Sequence, residues 1–259
     1  MEHYIESEQN KWLKKVKALQ QKKYRQQYGQ FLVEGLRFLE EALQKNARIE
    51  AILAAEDALE TVKASLAGYE GLLLVVKKGL LEKALNTITP QGVAAIVYKP
   101  DWQQIKLEEL HTVLIVDGVQ DPGNLGTIIR TALASGTEAI YCLKGTVDLY
   151  NDKVLRATMG AIFALPIFVV EEHTALLTQL KQAGFATVIA DIRGERYYDQ
   201  LAYPLRTALV VSNEANGPQL IREGDHYVKI PLYGGAESLN VAIACGILLY
   251  ELDRQRRGR

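Results

Sequence analysis

The sequence predicts an α/β protein in two parts, a small N-terminal α/β domain and a larger C-terminal one, and three observations carry that reading. Short apolar runs alternate with segments of helical periodicity along most of the chain, the pattern of βαβ units. Lys99-Pro100-Asp101-Trp102 opens a polar stretch that interrupts the alternation; Pro100 ends a strand there, so 99–110 reads as a linker. Beyond it, three clusters rich in Gly, Asn, Ser and Glu each follow an apolar run. An open α/β sheet places its ligand loops at such strand exits.

Taken in order, residues 1–30 are polar and basic, with Trp12, Val16 and Leu19 at roughly helical spacing, and read as a helical arm. Phe31-Leu-Val-Glu-Gly35 opens the alternation. Helical patterns over Leu36–Gln44, Asp57–Leu66 and Leu80–Leu85 alternate with strand-like runs at Ile49–Ala54, Leu72–Val76 and Val93–Val97. With the arm this makes a domain over 1–98. Its α/β part, about 70 residues, is marginal alone and is expected to lean on a neighbour. The second domain, 111–259, predicts strands at Val113–Val116, Ala139–Leu143, Ile167–Val170, Thr187–Ala190, Ala208–Val211 and Tyr227–Ile230. Helices fit Leu125–Ala134, Asp152–Met159, Ala175–Ala183 and Leu239–Leu252. The last is apolar almost all round, which predicts burial on every side, in a core or against a second subunit.

Composition excludes several classes. With 48% hydrophobic residues the chain has apolar surface enough to offset the ordering entropy, which excludes wholesale disorder. Cys142 and Cys245 are far apart among apolar neighbours, and the four histidines show no ligand spacing, so neither a disulfide framework nor a metal site is expected. No signal pattern and no run of transmembrane length is present, and a cytoplasmic location away from any membrane follows as the expectation. The net charge of −1 hides a local imbalance. Between Asn10 and Val33 lie Lys11, Lys14, Lys15, Lys17, Lys22, Lys23 and Arg25 with no acid, interleaved with Trp12, Tyr24 and Tyr28. Such a stripe can track a phosphate backbone, or it can be a solvated helix face.

The clusters carry the chemistry. In the first, Asp117 to Arg130, Asp121-Pro-Gly reads as a turn and Asn124 as the N-cap of a helix from Leu125, whose free N–H groups suit an anion. Arg130 is either a ligand-directed cation or a surface arginine. The spacing lacks the G-x-G-x-x-G of a dinucleotide site, which sets aside a nucleotide-dependent oxidoreductase. In the second, Ser212 to Pro218, Glu214 sits at a strand exit before the turn-forming pair Asn216-Gly217. In the third, Gly234 to Asn240, both Ser238 and Asn240 are capping types; one can cap the helix and leave the other to a ligand.

Read in full, the clusters are DGVQDPGNLGTIIRTALASG, ALVVSNEANGP and IPLYGGAESLNVAIACGILLYE. In order and spacing they resemble the SpoU (TrmH-type) RNA 2′-O-ribose methyltransferases of the SPOUT superfamily. Met159-Gly-Ala-Ile-Phe-Ala-Leu-Pro fits the segment between them. Tyr4-Ile-Glu-Ser, Lys22-Lys-Tyr-Arg25, Phe31-Leu-Val-Glu-Gly35 and Gln91-Gly92 resemble that family's N-terminal RNA-binding domain of L30e-like shape. The resemblance covers nearly the whole chain. It implies a C-terminal SPOUT α/β domain with a deep trefoil knot, a feature a bottom-up reading would reject as rare, plus the small N-terminal L30e-like α/β domain.

The resemblance also implies an S-adenosylmethionine-dependent RNA methyltransferase acting on a ribose 2′-OH, in 23S ribosomal RNA by preference, and working as a homodimer. A transfer RNA substrate and a non-catalytic RNA-binding protein of the same fold are its alternatives. Cofactor contacts carry over to Ser212, Asn213, Glu214, Gly217, Ile230, Leu232, Ser238, Leu239 and Asn240. Ser212 stands where the family commonly has glycine. Catalytic roles carry over to Asn124, Arg130, Glu214, Ser238 and Asn240. The family's arginine has been proposed as the base; a guanidinium stays charged, so a clamp on a phosphate beside the ribose suits Arg130 better, with Asn124 and Glu214 holding it and the ribose. RNA binding is expected of Lys11, Lys14, Lys15, Lys22, Lys23, Arg25 and Arg37. No metal is implied.

Overall fold

The computed structural model describes residues 3–66, 68–85, 91–213, 217–218 and 224–258. The chain divides into two compact units, Met1–Asp101 with Tyr150–Phe163, and Trp102–Leu149 with Ala164–Arg259.

The first unit opens with β1 (His3–Ile5), α1 (Lys11–Leu19) and α2 (Lys22–Tyr28). The helical arm expected over 1–30 is therefore a strand and two helices. A three-residue strand has no periodicity to read; β1 exists because it pairs in parallel with β4 (Leu73–Val76). The arm breaks at Gln20 and Gln21, where Arg25 folds back and its Nη1 donates to Leu19 O and Gln20 O at 2.9 and 2.7 Å. These are carbonyls that the end of α1 leaves without helical partners. β2 (Gln30–Glu34), α3 (Leu36–Gln44), β3 (Ile49–Ala55), α4 (Leu59–Ser65), α5 (Leu80–Leu85) and β5 (Val93–Tyr98) complete the unit. The sheet order is β1-β4-β3-β5-β2. β2 and β3 run antiparallel to β5, and the remaining pairs are parallel. Leu13, Val16 and Leu19 of α1 bury against Leu53, Leu74 and Ile96.

The marginal size of this unit is offset by chain from much later in the sequence. Tyr150 and Phe163 pack on Phe31, with ring centroids 4.8 and 5.9 Å apart, and Phe163 also meets Phe38 at 5.6 Å. Thus 150–163 associates with the first unit, although the sequence groups it with 111–259.

The second unit contains β6 (Thr112–Asp117), α6 (Pro122–Ala134) and β7 (Ala139–Leu143); α7 (Asp152–Thr158) follows in the chain within the segment just placed in the first unit. Then come β8 (Ile167–Val170), α8 (His173–Gln182), β9 (Ala186–Ala190), β10 (Arg196–Tyr197), β11 (Thr207–Ser212), β12 (His226–Lys229) and α9 (Val241–Arg257). The sheet runs β10-β12-β9-β11-β6-β7-β8, and every pair is parallel. Both faces of such a sheet are covered, hence the continuous apolar runs; all six residues of β6 are buried. From β6 the chain steps to β7 and β8 on one side, then returns to β9 and β11 on the other. That reversal is where an open α/β sheet opens a crevice.

Two helix starts differ from the sequence reading. α6 begins at Pro122, not Leu125, because Asp121 is its N-cap, with Oδ1 accepting from Asn124 N at 2.7 Å. The anion seat expected at this helix start is thereby taken by the chain's own carboxylate. α9 begins at Val241 rather than Leu239, with Asn240 as N-cap. Nor is α9 buried on every side: Ile243 and Tyr250, seven residues apart on one face, are 58% and 49% exposed.

Candidate active site

A cavity of about 260 Å³ opens in the second unit where β9, β11 and β12 end. Ser212, Asn213 and Gly217 line it from the second cluster, and Ile230, Leu232, Ser238 and Leu239 from the third. α9 closes one wall with Val241, Ala244 and Leu248. Local chemistry explains the loops. Gly217 sits at φ +62°, which glycine adopts without steric cost, and its N–H donates to Asn213 O at 2.9 Å, closing the turn. Asn240 caps α9, accepting from Ala242 N and Ile243 N at 2.9 and 3.4 Å, so Ser238 is the capping-type residue left to a ligand.

The structure joins the first and third clusters directly. Asn240 Nδ2 donates to Asn124 Oδ1 at 2.8 Å across 116 positions of sequence. This bond is open to Asn124 because Asp121, not Asn124, caps α6. Arg130 is exposed, is not among the cavity-lining residues, and has no side-chain hydrogen bond or ion pair among the described residues. Six residues of α-helix turn about 240° and advance about 9 Å, so Arg130 and Asn124 occupy different faces of α6, and Asn124 holds Asn240 instead of Arg130. Glu214 lies outside the described residues.

The sequence reading missed the β9 exit. Asp191 and Arg193 line the cavity. Arg193 Nε and Nη2 grip Asp191 Oδ1 and Oδ2 at 3.0 and 2.7 Å, and Arg193 N adds a bond of 2.8 Å to Oδ1. The side-chain hydrogen bond from Arg193, then its backbone bond and charge, hold the Asp191 carboxyl below the ordinary aspartate value against the opposing effect of burial. The result is an anion, its side chain only 9% exposed, facing the cavity. Its signal was present: Asp191-Ile-Arg-Gly194 follows an apolar run as the other clusters do. Gly194 is required there, since a Cβ would lie 3.0 Å from Asp191 O and Val228 C.

This chemistry suits S-adenosylmethionine. Ile230, Leu232 and Leu248 offer apolar wall to a purine and a thioether chain, Ser212 and Asn213 offer polar groups to hydroxyls, and the Asp191 anion complements a cationic ligand. Cys142 and Cys245 are free, buried core thiols, both pushed up to about 12 by burial.

The cations expected to bind RNA divide in two. Lys11, Lys14, Lys22, Lys23 and Arg37 are exposed. Lys15 is tied to Glu50 at 2.5 Å and lies over the ring of Tyr28 at 5.3 Å. Arg25 is buried and committed to the end of α1, a structural duty that a count of positive charges does not reveal.

Polar loops at the carboxyl ends of three parallel strands, sharing one cavity, define a ligand-binding α/β enzyme architecture. Comparison with known proteins narrows the class. Residues 111–250 match the SpoU rRNA Methylase family, and residues 10–95 match the MRM3-like substrate binding domain. The chain belongs to the SpoU methylase family. It is 36% identical over 255 residues to the 23S rRNA (guanosine(2553)-2′-O)-methyltransferase RlmP of Bacillus subtilis, covering 96% of this chain and 98% of that one. An AdoMet-bound rRNA methyltransferase from Sinorhizobium meliloti superposes with a TM-score of 0.81 at 33% identity, over 98% of this chain and 97% of that one. The SpoU methyltransferase AviRb from Streptomyces viridochromogenes, in complex with AdoMet, gives 0.86 at 27% identity, over 96% and 99%.

Proposed function

We propose that this chain transfers a methyl group from S-adenosylmethionine to a ribose 2′-OH of 23S ribosomal RNA. Membership of the SpoU family carries the reaction class, and the near full-length similarity to the Bacillus subtilis enzyme supports the RNA. Within the site, the supporting observation is the Asn124–Asn240 bond beside the cavity, which ties the first cluster to the third.

When bound, S-adenosylmethionine supplies an electrophilic methyl group. The cavity residues Ser212, Asn213, Gly217, Ile230, Leu232, Ser238 and Leu239 would hold it, Asp191 answering its positive charge. The Asn124–Asn240 pair fixes the edge of the site where a ribose must lie, and Ser238 presents a hydroxyl there. Fixing the two reactants in line supplies a large share of such a rate. The 2′-OH must lose its proton as the new C–O bond forms. Arg130, charged at all working pH values, serves by clamping the neighbouring phosphate, whose oxygen or an adjacent group takes the proton. Glu214 belongs to this catalytic set by its place in the second cluster.

The same reading has the chain act as a homodimer, in the cytoplasm, without a metal, and with its C-terminal segment threaded as a trefoil knot. The exposed apolar face of α9 supports the dimer. Leu133, 37% exposed, lies three residues beyond Arg130 on α6, so the two share a face. In a dimer that buries Leu133, Arg130 sits at the interface and can reach the site of the second copy. Among the described residues no helix is long and apolar enough to cross a membrane.

The test is to incubate the protein with methyl-labelled S-adenosylmethionine and unmodified ribosomal or transfer RNA, then digest to nucleosides. Label in a 2′-O-methylnucleoside from 23S RNA is expected. Label only from transfer RNA would move the substrate, and an absence of both label and cofactor binding would leave a non-catalytic RNA-binding protein.

A further inference from the structure

The first unit holds a second cavity, of about 630 Å³, that the proposed reaction does not use. Its apolar wall includes Leu32, Phe38 and Tyr150. Phe38 and Tyr150 are held in place by Phe163 and Phe31, so this wall is preformed. Two planar polar side chains, Glu34 and Gln91, also line it. Gln91 is fixed because Gly35 admits it: Gln91 Oε1 lies 2.7 Å from where a Gly35 Cβ would stand, and it accepts from Leu36 N at 3.2 Å. Lys153 and Arg156 of α7 line the cavity as well; Lys153 is exposed, and Arg156 is paired to Asp152 at 2.5 Å.

We propose that this cleft holds an unpaired nucleotide of the RNA substrate. A flat apolar body with hydrogen-bonding edges matches the wall and the polar pair, and a carboxylate and an amide beside it can read the amino and carbonyl groups of a base edge. A phosphodiester matches Lys153 and Arg156, with a guanidinium already pre-oriented by Asp152. Lys22 and Lys23 lie in sequence between the cleft-lining Gln20 and Arg25 and are exposed, so cationic surface continues from the cleft for the flanking backbone. A duplex cannot enter such a concavity, because its bases are stacked and their edges paired, whereas an extruded base can. The cleft thereby selects a looped or bulged RNA element.

The inference rests on the reading of this chain as an RNA-modifying enzyme, so cofactor affinity is measured alongside RNA affinity. The full chain is titrated with a fluorescein-labelled single-stranded RNA and with the same strand in a duplex, as wild type, as Lys153→Ala/Arg156→Ala and as Leu32→Trp. The tryptophan fills the cleft without changing charge. Single-strand affinity should fall about tenfold in both variants, the range of one lost base contact, while duplex and S-adenosylmethionine affinities stay put. The double variant should also lower the log–log salt slope for the single strand by about 1.4, at roughly 0.7 per phosphate contact. Equal losses on both RNAs would reduce the cleft to general electrostatics and overturn the proposal. Unchanged single-strand binding would also overturn it, leaving the cleft to a protein ligand. Loss of cofactor binding in the wild type would instead strike the methyltransferase reading.

Discussion

The two units solve the problem of ligand binding in opposite ways. The second uses an all-parallel sheet whose strand exits meet by topology, so side chains from positions 191, 212 and 238 surround one cavity. The first uses a mixed sheet whose ligand-facing features lie on helices and on its side cavity, with exposed lysines on α1 and α2. A parallel sheet directs every carboxyl end to one side, so chemistry concentrates there. A mixed sheet does not, and charge spread over helices gives affinity without reactive geometry. Changes in the second unit should therefore cost turnover, and changes in the first should cost RNA affinity.

The largest effect is expected at Arg130. Arg130→Lys keeps the charge and loses the planar fork; turnover should fall by about a hundredfold, with S-adenosylmethionine affinity unchanged in equilibrium titration. Near-normal turnover would sink the clamp. Next comes Asn240→Asp, which retains an acceptor to cap α9 but turns a carboxylate toward Asn124 Oδ1. Turnover should fall by more than tenfold while the melting temperature holds, whereas Asn240→Ala should additionally cost about 1 kcal/mol for the lost cap. If both variants lose stability and activity equally, the pair is structural only.

Asp191→Asn sharpens the comparison from inside the cavity. Cofactor affinity should weaken about tenfold, the range of a charged hydrogen bond, and RNA affinity should not move. Because Arg193 lowers the folded-state pKa of Asp191, its stabilisation is present above the unfolded value near about 3.9 and is lost as pH falls through the folded value. Wild-type and variant melting temperatures should converge as pH drops below that range; a gap that widens there would contradict the assignment. In the first unit, Lys22→Ala should lower RNA affinity a fewfold and the salt slope by about 0.7 to 0.9, leaving turnover at saturating RNA intact. Smallest of all, a thiol reagent at neutral pH should label neither Cys142 nor Cys245 until the chain unfolds, since both thiols are buried and pushed up to about 12.

Most strands and helices were legible because their signal is local. β3 to β5, β6 to β9, β11 and β12 are apolar runs between turn residues, and the helices between them follow the helical period. β1 and β10 were not legible: strands of three and two residues exist only through the partners that hold them. The caps of α6 and α9 lay within a few residues of their expected places. Choosing Asp121 over Asn124 needed the backbone geometry, since both residue types cap well.

By itself the sequence determined the class of fold, the three strand-exit clusters and, by resemblance, the family and its cofactor. Those features are encoded in residues close together in the chain. Tertiary structure decided what each polar side chain is used for. It paired Asn124 with Asn240, put Asp191 and Arg193 at the cavity, withdrew Arg25 and Lys15 from the exposed basic face, and brought Tyr150–Phe163 to complete the first unit. Each of these depends on partners distant in sequence or on burial, and a side chain's charge or hydrogen-bonding capacity becomes a function only when packing fixes which partner it meets.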